Sequence, residues 1–414
     1  MFDAFTTALS ALNADVTAID IVGNNLANLN TVGYKSDTVQ FYDLISEQLG
    51  GTSSANSVGT GVSPAQALKQ FVQGSIQTSN GPLDAAISGD GFFVVKDNIG
   101  RTLYTRAGDF KLAADGSLLT ATGENVQGWM ATGGRINLSA PMGNILVPVN
   151  GVVPATPTAN LSLQANLDAR PAVGASGASF SSPVQIVDSQ GATHILTFSF
   201  TKTGVNAWSY AVTIPAADLT GGSNQIATGN LTFDATGQLL TPNQANGSVP
   251  LKIAGLADGA SDMTVNWNLY NGTTPLLTQF AQNSGVSGTQ QDGFQAGQIA
   301  KISMGTDGII IATYSNGQTA PIAQLALASI RNPDSMISVG NNNYQPTIET
   351  ASPAVGAANS GGRGTVQGGA LETSTVDVAA QFTQLMSFQR SYEAASKAIT
   401  TTDQMLQTLI GLKQ

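Results

Sequence analysis

Two proline-free stretches with heptad-spaced apolar residues stand at opposite ends of the 414-residue chain, and a long interior with strand-like patterning separates them. Near the start, Phe5, Leu9, Leu12, Val16, Ile19 and Leu26 recur at steps of four and three, with Gly23 in the one gap. That spacing predicts a helix from Phe2 to about Leu29 with an apolar seam. Near the end, Val378, Leu385, Tyr392, Ile399 and Leu406 lie seven residues apart. Gln381, Phe388, Ala395, Thr402 and Leu409 supply the companion positions. A second helix is predicted from Val376 to Leu412, with Ser374 or Thr375 as its cap and Asp377 and Lys413 placed as a helix dipole favours. Gly50–Gly61 and Ser360–Gly369, rich in Gly and Ser, join these ends to the body. Such tethers keep the helices from folding onto a remote core, so both seams are expected to be subunit interfaces.

The interior reads as β. His194–Phe200 and Trp208–Ile214 alternate with period two, and Ala86–Val95 reads as two short strands around Gly89-Asp90-Gly91. Strands are also expected at Ile309–Tyr314 and Ile322–Ile330, with Asn316-Gly317 turning the chain between them. Junctions fall at Val147–Pro157, which holds three prolines, and at the Gly-rich stretch Asn283–Gly297. The expected architecture is α+β and multidomain. Residues 1–70 with 365–414 form a coiled-coil-like helical domain, 71–147 with 285–364 an inner β-domain, and 148–284 an inserted outer β-domain. Both β-domains are expected to be mainly antiparallel.

Composition excludes several functions. Only 10% of residues are charged, with a net charge of −10 and no basic run; nucleic acid is a poor partner for such a surface. Neutral polar faces suit packing against further copies, because no unpaired charge is buried. Cysteine is absent, which removes thiolate metal sites and cysteine nucleophiles. The single histidine, His194, excludes a multi-histidine zinc site, and a serine triad would have to use it. Asp84 with Asp90, or Asp115 with Glu124, could pair only through folding. Gly89-Asp90-Gly91 is too short for a dinucleotide loop. No catalytic residue, metal or cofactor is expected. The first residues lack a cleavable signal pattern, and no unbroken apolar run reaches the roughly 18 residues of a membrane span.

Asp20-Ile21-Val22-Gly23-Asn24-Asn25-Leu26-Ala27-Asn28-Leu29-Asn30-Thr31-Val32-Gly33-Tyr34-Lys35 closely resembles the N-terminal signature of the bacterial flagellar rod and hook family. Asn24, Asn25, Asn28, Thr31, Gly33, Tyr34 and Lys35 carry that likeness. The asparagine amides can satisfy orphan carbonyls at the helix end, and Asn30 and Gly33 can turn the chain through left-handed backbone. Tyr34 and Phe41 are expected to anchor the extended exit. Pro82–Val95, Leu103–Phe110 and Gly369–Val378 leading into Gln389–Ala394 resemble further blocks of the same family. Chain length, Val126-Gln127-Gly128-Trp129, Tyr314–Thr319, Arg331-Asn332-Pro333 and Val339–Asn342 favour its hook branch. Residues 148–284 carry no resemblance.

The resemblance implies a structural subunit of a short curved tube that passes torque from rod to filament, not an enzyme. It implies a homopolymer whose partners are rod and hook-associated proteins, a hook cap and the flagellar export apparatus, without membrane insertion. It implies an extracellular location reached without a cleaved signal peptide. The rival readings are another axial protein (distal rod or hook-filament junction) and a secreted β-rich adhesin that binds glycan or a host surface through its middle domain, where Trp208 and Tyr210 are either exposed binders or, more often, core.

Overall fold

A computed structural model describes residues 2–44, 47–48, 57–58, 61–149, 151–221 and 223–411. Most of Gly50–Gly61 lies outside the described residues. Helix α1 covers Phe2–Ala27 and α2 covers Val378–Gly411, within two residues of the boundaries expected from the heptads. Among the described residues, the regular structure between them is strand apart from four short 3-10 turns. The chain divides into two compact units. One comprises 1–149, 301–313 and 319–414, and the other comprises 150–300 and 314–318.

In the first unit, α1 and α2 pack along each other. Asn25 meets Gln381, whereas Ala11, Ala14 and Asp15 share a groove with Phe388, Ser391 and Ala395, so the helices run antiparallel. The cap of α2 is neither Ser374 nor Thr375. Asp377 accepts N–H bonds from Ala379 at 2.9 Å and Ala380 at 3.1 Å, and its carbonyl takes the Gln381 N–H. A carboxylate there both fills the cap and meets the positive helix end. Thr375 instead receives the Ser36 N–H, which ties the two chain ends together.

The β-part of this unit is built on the strands Phe92–Lys96, Thr102–Thr105, Asn125–Thr132, Thr319–Leu325 and Leu327–Ser329. Phe92, Val94, Tyr104, Trp129, Ala328 and Tyr344 close one of its cores. The two strands flanking Gly89-Asp90-Gly91 do not pair with each other. Ala85–Ser88 pairs with Thr365–Gly368, and Phe92–Lys96 pairs elsewhere, so the turn passes the chain from one sheet to another. The stretch Ser360–Gly369 is therefore a turn plus a sheet strand, not a free tether.

The second unit is two sheets around one apolar core. Ser179–Val187, Thr193–Gly204, Ala207–Thr213, Gln225–Phe233 and Leu239–Thr241 form an antiparallel meander in chain order. Asn160–Asn166 sits in the other sheet, parallel to Met263–Asn268 and Leu277–Thr278 and antiparallel to Gly285–Gln291. Parallel pairing was not expected. Burial alternates residue by residue along Ala207–Thr213, as a half-buried strand requires. Trp267 lies edge-on to Phe198 at 4.9 Å and Tyr210 at 5.2 Å, which joins the two sheets through aromatic contacts. Trp208 and Tyr210 are core residues and are not available as surface binders.

Candidate assembly surface and its anchoring node

The buried stripe of α1 is not the stripe of large apolar residues. Ala8, Asp15, Ala18, Val22 and Asn25 are buried, with Ala11 half-buried between the first two. These positions repeat at steps of three and four, one register away from the expected seam. Small side chains let two helices approach closely, and burial lifts the Asp15 carboxyl above its ordinary pKa. The expected seam lies beside this stripe. Leu9 and Val16 stay 42% and 41% exposed, while Phe5, Leu12, Ile19 and Leu26 are half-buried.

On α2 the predicted stripe is the covered one. Gln381 and Thr402 are buried, and Leu385, Phe388, Ala395, Ile399 and Leu406 are half-buried. Phe388 also meets Phe41 at 5.8 Å between ring centroids. Val378 and Tyr392 remain exposed, together with Phe382, Met386 and Met405. The Leu409 side chain lies outside the described residues. By length and composition Phe5–Ala27 would also cross a membrane, which a search for unbroken apolar runs missed. The polar stripe members Asp15 and Asn25, buried on the face with Ala18 and Val22, mark a helix built for protein packing.

Between the helices and the sheets the family blocks converge. Asn25 is fully buried with its amide saturated. Its Oδ1 accepts from the Tyr34 hydroxyl at 3.2 Å and the Asp37 N–H at 2.9 Å. Its Nδ2 donates to the Asp37 carbonyl at 2.7 Å and to Gln381 Oε1 at 3.1 Å. Asn28 closes the helix end by donating to the Asn24 carbonyl and Oδ1, both at 2.9 Å, and accepts from the Thr31 hydroxyl at 3.1 Å. Tyr34 is buried, which pushes its hydroxyl up to about 12. Asn30 has no left-handed backbone; Gly33 makes that turn alone, at φ 66°.

Lys35 follows, with no exposure at all. Its Nζ donates to Glu372 Oε1 and to the Val72 carbonyl, both at 2.6 Å. The same Oε1 accepts the Gly74 N–H at 2.7 Å, and Arg106 reaches Oε2 at 3.3 Å. Arg106 also donates to the Gly89 carbonyl and lies over the Phe92 ring, whereas its Nε is buried without a partner. Burial lowers the pKa of both Lys35 and Arg106 even against the attraction of Glu372. Desolvation thus outweighs the pairing, and the node fixes geometry more than it adds stability. Lys35, Arg106 and Glu372 each belong to a block that resembles the family, yet their side-chain meeting was not read from the sequence.

Gly33 is required where it stands. A β-carbon there would lie 2.6 Å from the Arg106 backbone carbon and 2.7 Å from the Ala107 nitrogen, and the backbone is left-handed. Gly33→Ala is expected to cost well over the roughly 1–2 kcal/mol of the left-handed backbone alone. Urea unfolding of the full chain checks this; a loss below about 1 kcal/mol would mean the exit loop relaxes freely.

Asp115, Glu124 and Asp84 are each held by neighbouring polar groups. Asp115 receives the Ser117 N–H and hydroxyl in its own turn, whereas Glu124 is held by Thr120, Thr122 and Asn343. Asp84 accepts from the Ser79 hydroxyl.

Four family models match in chain order. Residues 5–35 match the flagella basal body rod protein model, and 86–155 match the D1 domain of the flagellar hook protein FlgE/F/G. Residues 156–294 match the D2 domain of the flagellar basal body protein FlaE, a region where no resemblance was evident. Residues 367–412 match the C-terminal model of the basal body rod FlgEFG proteins. Among whole proteins, the chain is 32% identical to the flagellar hook protein FlgE of Borreliella burgdorferi, covering 100% of both chains. It is 33% identical to that of Escherichia coli, covering 99% of this chain and 100% of the other. The crystal structure of Helicobacter pylori FlgE2, a flagellar hook protein, shares the fold with a TM-score of 0.52 at 15% identity, over 72% of this chain and 100% of that one. With two helices bracketing a β-rich interior and full-length likeness to these proteins, the chain belongs to the flagellar hook protein family.

Proposed function

We propose that this chain is the structural subunit of the bacterial flagellar hook, polymerising into the curved tube that carries torque from rod to filament. The observation that carries the mode of assembly is the offset between the two stripes of α1. The small-residue stripe is used up within the chain, and the large apolar stripe around Leu9 and Val16 is left uncovered. In the tube that stripe, with Phe5, Leu12, Ile19 and Leu26 beside it, meets helices of neighbouring copies. The exposed apolar residues of α2 (Val378, Phe382, Met386, Tyr392 and Met405) supply the complementary face. Burial at roughly 25 cal/mol per Å² of apolar surface rewards such contacts only in the polymer.

In this reading the helical pair with its linkers, 1–70 and 365–414, lines the tube. The β-part of the first unit forms the inner β-domain, and the second unit, whose sheet takes in Gly285–Gln291 beyond the boundary expected at 284, forms the outer one. The β-surfaces, poor in charge, slide past their neighbours as the tube bends. Rod and hook-associated proteins flank the polymer, a cap supports its growth, and the export apparatus delivers the chain to the cell exterior without a cleaved signal peptide. No step of this role needs catalysis or a cofactor.

Electron microscopy of the full chain, concentrated in a sulfate salt that strengthens apolar burial, tests the reading beside a version lacking 1–30 and 371–414. Hollow tubes are expected from the full chain alone. Tubes from the truncated chain would sink the terminal-helix assembly.

A further inference from the structure

The single histidine is the centre of a cluster in the second unit that tube assembly does not explain. His194 is buried at the start of its strand, and three separate loops aim carboxylates at its ring. Nδ1 lies 3.1 Å from Asp218 Oδ2, while Nε2 lies 3.0 Å from Asp188 Oδ2 and 3.3 Å from Asp258 Oδ2. The other oxygens are committed elsewhere. Asp188 Oδ1 accepts the Gln190 and Ala192 N–H groups, and Asp258 Oδ1 accepts that of Ala260. Backbone thus fixes both carboxylates so that one oxygen of each is left for the ring.

A neutral imidazole has one N–H. With Nδ1–H donated to Asp218, Nε2 turns a lone pair toward two anionic oxygens, an arrangement that requires a cation between them. No Lys or Arg pairs with these carboxylates among the described residues. The cation is therefore a proton on Nε2 or a metal ion.

Geometry favours room for the second. Ligand atoms at about 2.0–2.1 Å around a tetrahedral ion lie roughly 3.3–3.4 Å apart, close to the separations at Nε2. The ligand atoms of Asp188, His194 and Asp258 all fall within 4.8 Å of one another. Asp218 completes the pattern independently, because a metal-bound histidine characteristically donates its other N–H to a carboxylate, which fixes the tautomer. The lone histidine ruled out a multi-histidine site; it does not rule out one imidazole with two carboxylates.

We propose that His194 Nε2, Asp188 and Asp258 form a site for a divalent transition metal, with water completing the coordination and Asp218 orienting the ring. An imidazole ligand selects a zinc-like ion over magnesium or calcium. The ion ties the Asp188–Ala192 and Ala257–Gly259 turns to the strand of His194, and the bond from the ring to Asp218 holds the Ala216–Asp218 turn.

Isothermal titration of the chelator-treated full chain with zinc chloride near neutral pH tests the site. The expected result is one micromolar site, with no matching heat from magnesium chloride. Asp258→Asn, a partly exposed change, and His194→Gln, with its fold checked by near-ultraviolet circular dichroism, should each weaken zinc binding at least about tenfold. Failure of the folded chain to bind zinc would overturn the proposal. So would unchanged binding by the Asp258→Asn chain.

Discussion

Glu372→Gln will lower the stability of the helix-bearing unit by about 3–5 kcal/mol, the usual cost of removing one partner from a buried ion pair. The size neither follows from nor requires a strong pair. Lys35 and Arg106 are already depressed in pKa by burial, so each depends on the one carboxylate that touches both. Glutamine keeps the shape and can still accept the Gly74 N–H, but it leaves two buried cations facing a neutral amide. Urea unfolding of the full chain should show an early transition shifted to lower urea, with the transition of the second unit unmoved. The double change Lys35→Met with Glu372→Gln should cost less than the sum of the single changes, because the two side chains are in contact at 2.6 Å. A loss below about 1 kcal/mol for Glu372→Gln would show that water or a shifted proton compensates the cations. The node would then not be what holds the helices to the sheets.

The same residues show what the chain reveals to a reader and what it withholds. The existence and limits of α1 and α2 were legible because a missing proline and a regular three-four spacing are local properties. The alternation of His194–Phe200, inside the strand Thr193–Gly204, was legible for the same reason. The identity of the covered stripe on α1 was not. Large apolar residues dominate any periodicity, whereas Ala8, Ala11 and Ala18 are also what an ordinary solvent-facing helix would carry. Only the partner helix distinguishes the two. Lys35 and Glu372 stand 337 residues apart, and the His194 cluster draws on three loops, so neither could be read from spacing. For the node a signal was present: Lys35, Arg106 and Glu372 are charged residues inside separate recognisable blocks of a chain poor in charge. A charge retained in such a composition is either solvated or paired across the fold. No comparable signal marked Asp188, Asp218 and Asp258.

Val16→Asp will abolish tube formation while leaving the isolated chain about as stable as before. Val16 is 41% exposed, and a change at such a position usually alters monomer stability by no more than about 0.5 kcal/mol. In a helical polymer the same change would bury an unpaired carboxylate at every copy of the contact, at a cost of several kcal/mol each. In the proposed tube the penalty recurs at every such contact, and assembly fails as a whole. Ala18→Leu, two positions away, should behave in the opposite sense. Ala18 is fully buried, so the added bulk forces α1 off its own stripe and destabilises the monomer by about 1–3 kcal/mol. Sedimentation and electron microscopy read the assembly, and urea unfolding reads the fold. Tubes formed by the Val16→Asp chain at wild-type concentration would mean that this stripe faces solvent in the polymer. The assembly contact would then have to be sought on the exposed face of α2, around Phe382, Met386 and Met405, and not on the seam the sequence advertises.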